Sequence, residues 1–262
     1  MEEYSYGKVV WKMKASFWRK AGCSLSAGVI LFGLRLMQNQ TGFDPETGLP
    51  LPNVPGYALI AALAVVLVSQ LLLQRTLPRG KFSFAAAFTP MQQLKLPLVL
   101  GGMLLAAGGA FLAVTSVTQA AGIARIVAGI LGAAAGFGLI LFTKQLLSGG
   151  EISVAPLLPL LFFGVFLVLA IYLPSADDPI LARFYIPILA SAAAAIAFSQ
   201  LAGFLYLESD HRRFAVTGNL ALSLCIASLA DALGTPVLIL LVGCAVVLGA
   251  FLLMQEDAPS DE

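Results

Sequence analysis

Residues 18–37, WRKAGCSLSAGVILFGLRLM, decide how this chain is folded. A membrane span needs about 20 mainly apolar residues to cross roughly 30 Å of hydrocarbon. This stretch qualifies except for Arg35 near its far end. If Arg35 reaches out to the interface, the stretch crosses; if it does not, every later loop changes sides. Seven more apolar stretches follow, near 57–74, 96–117, 125–146, 155–173, 186–207, 214–233 and 235–254. Among these, 214–233 is weakened by Asn219, Ser223, Ser228 and Asp231.

The basic residues choose the count. With eight alternating spans, Lys8, Lys12, Lys14, Arg19, Lys20, Arg75, Arg79, Lys81, Lys95, Lys144, Arg212 and Arg213 share one side. Only Arg35, Arg125 and Arg183 fall on the other. That is the asymmetry of the positive-inside rule, and it places both termini in the cytoplasm. Dropping the first span would put the basic N-terminal residues and Arg212 and Arg213 on opposite sides. The expected fold is therefore all-α, a polytopic integral membrane protein of about eight transmembrane helices. The expected location is the plasma (cell) membrane, with the lipid bilayer as first partner.

Composition agrees. Hydrophobic residues make up 59% of the chain and charged ones 11%, with a mean hydropathy of +0.92. A soluble domain carries about a quarter charged residues, so this chain could not cover a water-facing surface. The net charge of +1, without a basic stripe, argues against a nucleic-acid partner. Cys23, Cys225 and Cys244 are dispersed through apolar stretches and read as small hydrophobes, not as a disulfide or metal framework. No metal and no cofactor is expected.

Residues 1–17 read as a cytoplasmic interfacial segment, within a helical pattern over 1–20 that puts Lys8, Lys12 and Arg19 near one stripe and Trp11, Phe17 and Trp18 at headgroup level. They are charged and aromatic throughout, unlike a cleavable signal peptide. Residues 18–254 form the transmembrane domain, and 255–262 an acidic tail of disordered composition. Between spans 2 and 3, Phe82, Phe84 and Phe88 would lay the connecting segment on the membrane surface.

The halves 18–147 and 155–254 share features. Asp44-Pro45 and Asp178-Pro179 each precede a span that opens at a tyrosine, Tyr57 or Tyr185. That span carries Ser69-Gln70 or Ser199-Gln200, and Lys81-Phe82 or Arg213-Phe214 follows it. An offset of four spans preserves orientation, so a repeat would be parallel, about an axis along the membrane normal. Chance likeness among apolar helices accounts for the same pattern.

Several side chains are candidates for function. Ser69, Gln70, Ser199 and Gln200 lie at similar depth and could line a cavity between the halves. The alternative has each amide bonding a neighbouring helix, because an amide in hydrocarbon needs a partner. Arg35 and Asp231 sit at comparable depth and could pair at the outer face. Gly102, Ala106 and Ala110 in span 3 and Ala128, Gly132 and Gly136 in span 4 form small-residue stripes, for packing the two spans into a hairpin or for joining two copies. Asn39-Gln40-Thr41 is a glycosylation sequon, of use only in a cell that glycosylates. Glu208, Asp210 and His211 read as a solvated loop, too poor a set for a metal. Asp177, Asp178 and Arg183 lack the second acidic motif of metal-dependent transferases.

No HExxH, GxSxG or Walker pattern occurs, so no enzyme is expected. The favoured function is a small-molecule permease or membrane subunit of a transport system. The alternative is a non-transporting scaffold, assembly factor or sensory partner, with other membrane subunits as partners. Pro97, Pro156, Pro159, Pro187 and Pro236 all lie near span starts, not where they would break a transporter helix.

Overall fold

The computed structural model describes residues 21–44, 46–47, 49–89, 91–148, 153, 155–176, 183–206 and 209–256. The segment before residue 18, Asp177 and Asp178, Glu208 and the tail from Asp257 therefore lie outside the described residues.

Eight long helices account for most of what is described: α1 Cys23–Thr41, α2 Val54–Leu73, α3 Lys95–Thr118, α4 Ile123–Ser148, α5 Leu158–Ala176, α6 Tyr185–Gly203, α7 His211–Ala227 and α8 Thr235–Met254. Their starts follow from local sequence. Asn53 Oδ1 accepts from the Gly56 amide at 2.6 Å and caps α2, whose first turn also holds a proline. Asp210 Oδ1 accepts from the Arg212 and Arg213 amides at 2.9 and 3.0 Å and caps α7. The turn from α3 to α4 uses positive φ at Ala120 (51°) and Gly122 (86°).

Seven of the eight, all but α1, are long and apolar enough to cross a membrane. The chain is a multi-pass membrane protein. α1 falls short because its last turns carry Arg35, Gln38, Asn39 and Gln40. It is nonetheless a 19-residue helix packed against α7 and α2. Ser24 bonds Asn219 and Arg35 bonds Asp231, so α1 and α7 run in the same direction. A Cβ on Gly28 would lie 2.9 Å from Ile226 Cβ, which shows how closely the two helices approach.

α3, α4, α5, α6, α7 and α8 each pack on the next, and α8 returns to α3, closing a six-helix ring. α1 lies on the outside of α7, and α2 packs on both. This order is not that of two equivalent halves. A two-fold relation would carry the α4–α5 contact onto one between α8 and α1, and those two are not packed neighbours. The residues shared by the halves mark interfaces and loops, which recur in any chain that crosses repeatedly.

The α3–α4 seam is backbone against backbone. A Cβ on Gly109 would lie 2.6 Å from the Gly129 carbonyl oxygen, and one on Gly136 would lie 2.8 Å from Ala106 Cα. The contact line runs Gly102, Ala106, Gly109, Ala113, and Ala110 is exposed on another face. Two helices pressed together meet at alternating steps of four and three, so a strict step of four drifts off the seam after one turn. On α4, Gly132 also faces Phe163 of α5, 3.0 Å from where a Cβ would sit, and Ala128 is buried.

The segment between α2 and α3 does not lie on the membrane surface. Its Phe82, Phe84 and Phe88 are buried, with Phe88 fully enclosed by Phe84, Phe204, Phe214 and Phe251 at centroid distances of 4.7–6.0 Å. Backbone bonds fix it there: the Thr89 amide donates to the Met254 carbonyl and the Glu256 amide to the Ala87 carbonyl, both at 2.9 Å. The acidic tail thus begins docked, with Gln255 buried and donating to the His211 carbonyl at 2.8 Å. This aromatic knot closes the end of the bundle that also holds Arg79, Lys81, Arg212 and Arg213, the basic end; Arg35 marks the other.

Candidate functional site

At the Arg35 end, α1, α6 and the turn after α7 converge on one fully buried guanidinium. Arg35 Nε donates to Asp231 Oδ1 at 2.7 Å, Nη2 lies 2.6 Å from the same oxygen, and Nη1 donates to Gln38 Oε1 at 2.6 Å. Nη2 also donates to the Arg183 carbonyl. The guanidinium stacks 4.8 Å from the Tyr185 ring centre, and the Tyr185 hydroxyl donates to Gln38 Oε1 at 3.1 Å. The structure thus brings Arg35 and Asp231 together, and it surrounds the pair with groups that the sequence did not point to.

Burial raises the Asp231 carboxyl above its ordinary value, while the Arg35 charge and the bonds from Arg35 and Asn39 pull it down. Its second oxygen, Oδ2, is buried and has no hydrogen-bond partner among the described residues. Asn39 donates to the Ala230 carbonyl at 2.9 Å and to Asp231 Oδ1 at 3.3 Å, which engages the sequon's amide inside the protein. A cavity of about 360 Å³ adjoins the pair, walled by Asn39, Phe43, Arg183, Phe184 and Leu233. Arg183 packs over the Phe43 ring, 5.1 Å from its centre.

A second polar group lies deeper, on the seam of α1, α2 and α7. Gln70 Nε2 donates to Ser24 Oγ at 2.9 Å, and Ser24 Oγ donates to Asn219 Oδ1 at 2.6 Å. Ser223 Oγ donates to the Ser24 carbonyl at 2.9 Å. All four side chains are 0–1% exposed, so the network is closed off from the surface of the bundle. Polar residues weaken α1 and α7 as apolar spans for one reason: each supplies the other's partners.

Gln200 is elsewhere. Its Oε1 accepts from Thr217 Oγ1 at 2.8 Å, and it lines a cleft at the basic end. Gln70 and Gln200 are not hydrogen-bonded to each other; each engages a neighbouring helix. Ser69 and Ser199 hydroxyls fold back onto the Val66 and Ile196 carbonyls of their own helices at 2.8 and 2.7 Å.

His211 is not on a solvated loop. It is fully buried, packs edge-on to Phe82 and Phe204, and its Nε2 lies 2.7 Å from the Glu256 carbonyl oxygen. Its place at the first turn of α7, under the aromatic knot, follows from Phe82 and Phe204, two signals that sequence alone does not join to it. Among the described residues no group of three His, Cys, Asp or Glu is placed to hold a metal ion.

The chain matches none of the protein-family models, curated proteins or solved structures compared with it.

Proposed function

We propose that this chain is a non-transporting membrane protein, a scaffold, assembly factor or sensory partner that acts through its helix faces. The reading places it in the plasma membrane with both termini cytoplasmic, supported by the twelve basic residues on one side against three on the other. One observation carries it: the six-helix ring is packed with apolar side chains at every depth. Leu112, Ile171 and Leu240 fill the Arg35 end; Leu105, Leu167 and Cys244 the middle; Phe142, Phe88 and Phe251 the basic end, all at most 4% exposed. The buried charged and amide side chains Arg35, Asp231, Gln70 and Asn219 are engaged in joining helices. No catalytic step belongs to this reading, because Asp210 caps α7, Asp231 holds Arg35 and His211 packs between aromatic rings.

A permease for a small, weakly polar solute is the second reading. It is favoured by openings with charged side chains among their linings at opposite ends, of about 360 and 450 Å³. Single cysteines at positions 70 and 200, in a protein lacking its native cysteines, separate the two. A membrane-impermeant thiol reagent is expected to label position 200 from the basic side only and position 70 from neither. Labelling of both positions from one side, with loop controls reacting normally, would overturn the scaffold reading in favour of the permease.

A further inference from the structure

The cleft at the basic end has a composition that helix packing does not require. It holds about 450 Å³ between α2, α6 and the start of α7, and Arg79, Arg212 and Arg213 all face it. The two chain segments that supply them are tied together: the His211 amide donates to the Gly80 carbonyl at 3.3 Å, and the backbones at Lys81 and Asp210 pair as an isolated antiparallel β-bridge. Arg79 is thus fixed beside the α7 arginines, not left on a free loop.

Among the described residues the one acid lining the cleft does not neutralise them. Asp210 Oδ1 accepts the Arg212 and Arg213 backbone amides, and among the described residues none of the three guanidinium groups makes a hydrogen bond or ion pair. Among the described lining residues, three positive charges against one negative leave a net of two positive charges. Gln200 adds a donor, because Thr217 occupies its oxygen and leaves its amide nitrogen without a partner among the described residues. Planar guanidinium forks with an amide donor match the oxygens of a phosphate.

The walls above the charges are apolar and face outward. α2 and α6 share one buried cluster near the Arg35 end, through Leu59 and Ile186, but are not packed neighbours overall. At the basic end each presents exposed apolar side chains: Leu71 and, one turn deeper, Leu67 on α2, and Ile196 one turn deeper than Gln200 on α6. A soluble anion would use only the floor of such a groove. An amphiphile uses both parts.

We propose that this cleft binds an anionic glycerophospholipid, its phosphate held by Arg79, Arg212, Arg213 and Gln200 and its acyl chains lying along the groove between α2 and α6. Basic pockets between helices on the cytoplasmic side are suited to anionic headgroups, and each Arg near the surface strengthens binding about fivefold. The proposal does not depend on the scaffold reading; it uses only the topology, which supplies the leaflet.

The test is lipid retention by the detergent-purified full chain, read by native mass spectrometry. Phosphatidylglycerol is compared with phosphatidylcholine of the same acyl chains, and inorganic phosphate and glycerol 3-phosphate serve as soluble competitors. Phosphatidylglycerol is expected to be retained preferentially, and the R79Q/R212Q/R213Q variant to lose on the order of a hundredfold in affinity. Arg213→Gln alone, at an exposed position that folding tolerates, is expected to lose about fivefold. Arg75→Gln removes the same charge at the same end but outside the cleft, and is expected to change nothing. Equal retention of the two lipids, or an equal loss in Arg75→Gln, would overturn the proposal. Competition by free phosphate as effective as that by phosphatidylglycerol would also overturn it, assigning the cleft to a soluble anion.

Discussion

Replacing Asp231 with Asn removes a charge from the Arg35 end with almost no change of shape. Arg35 is fully buried and directs both Nε and Nη2 at one Asp231 oxygen, at 2.7 and 2.6 Å. Taking away one partner of a buried pair costs about 3–5 kcal/mol, because the other charge stays behind uncompensated. Here Gln38, the Arg183 carbonyl and the Tyr185 ring still face the guanidinium. A ring at that distance returns about 1 kcal/mol, so the expected loss for D231N is about 2–4 kcal/mol. Arg35→Leu leaves a buried carboxyl instead, and that group escapes by taking up a proton. Its folded pKa then lies above its unfolded value, so the folded state is penalised only as pH rises above about 4. The loss in R35L is expected to be small in acid and to grow toward neutral pH. The combined R35L/D231N variant removes both charges and is expected to be no less stable than D231N. Reversible unfolding in mixed micelles, followed by circular dichroism, measures all three against the native protein. If the single losses simply add to within about 0.5 kcal/mol, the two groups are not coupled and the argument fails.

Three other expectations bear on packing. Gly109→Ala should destabilise by about 1–3 kcal/mol, since its Cβ meets the Gly129 backbone, whereas Ala110→Leu, one residue on, should be near neutral; thermal stability in detergent ranks the two, and equal effects would refute the seam. Phe88→Ala should cost about 3–5 kcal/mol and expose the 82–89 segment to trypsin cleavage at Lys81; an unchanged digestion pattern would show that the aromatic knot does not hold that segment. Gln70→Leu should cost no more than about 1 kcal/mol, because it gives up one bond to Ser24 and relieves an oxygen that has no partner; a loss well above that in the same unfolding assay would mean that Gln70 does more than tie α2 to α1.

The helices were legible because hydrocarbon thickness sets their length, and continuous apolar runs in the sequence report it directly. The depths of Arg35 and Asp231 followed from that count, so their juxtaposition was readable before any contact was known. What sequence could not supply was the direction in which each side chain points around its helix. Ala110 and Gly109 are adjacent, yet one lies at the surface and the other against a backbone. Gln70 and Gln200 share a depth but turn to different helices, α1 and α7. The burial of the segment carrying Phe88 is hidden in the sequence for a related reason. A polar-flanked aromatic run between two spans suits a headgroup layer as well as a closed bundle, and only the carbonyl of Met254 and the amide of Glu256 distinguish them.

The bond between Arg35 and Asp231 also sets a schedule. The two residues are 196 positions apart, and a ribosome adding about 5–20 residues per second takes roughly 10–40 s to make that interval. Throughout it, the first helix has its charge and no counterpart, and the Ser24 hydroxyl waits equally for Asn219. The head of this protein is thus the last part to be finished. Whatever shelters an unpaired arginine at the membrane surface for that long, whether lipid headgroup, insertion machinery or chaperone, takes part in building it.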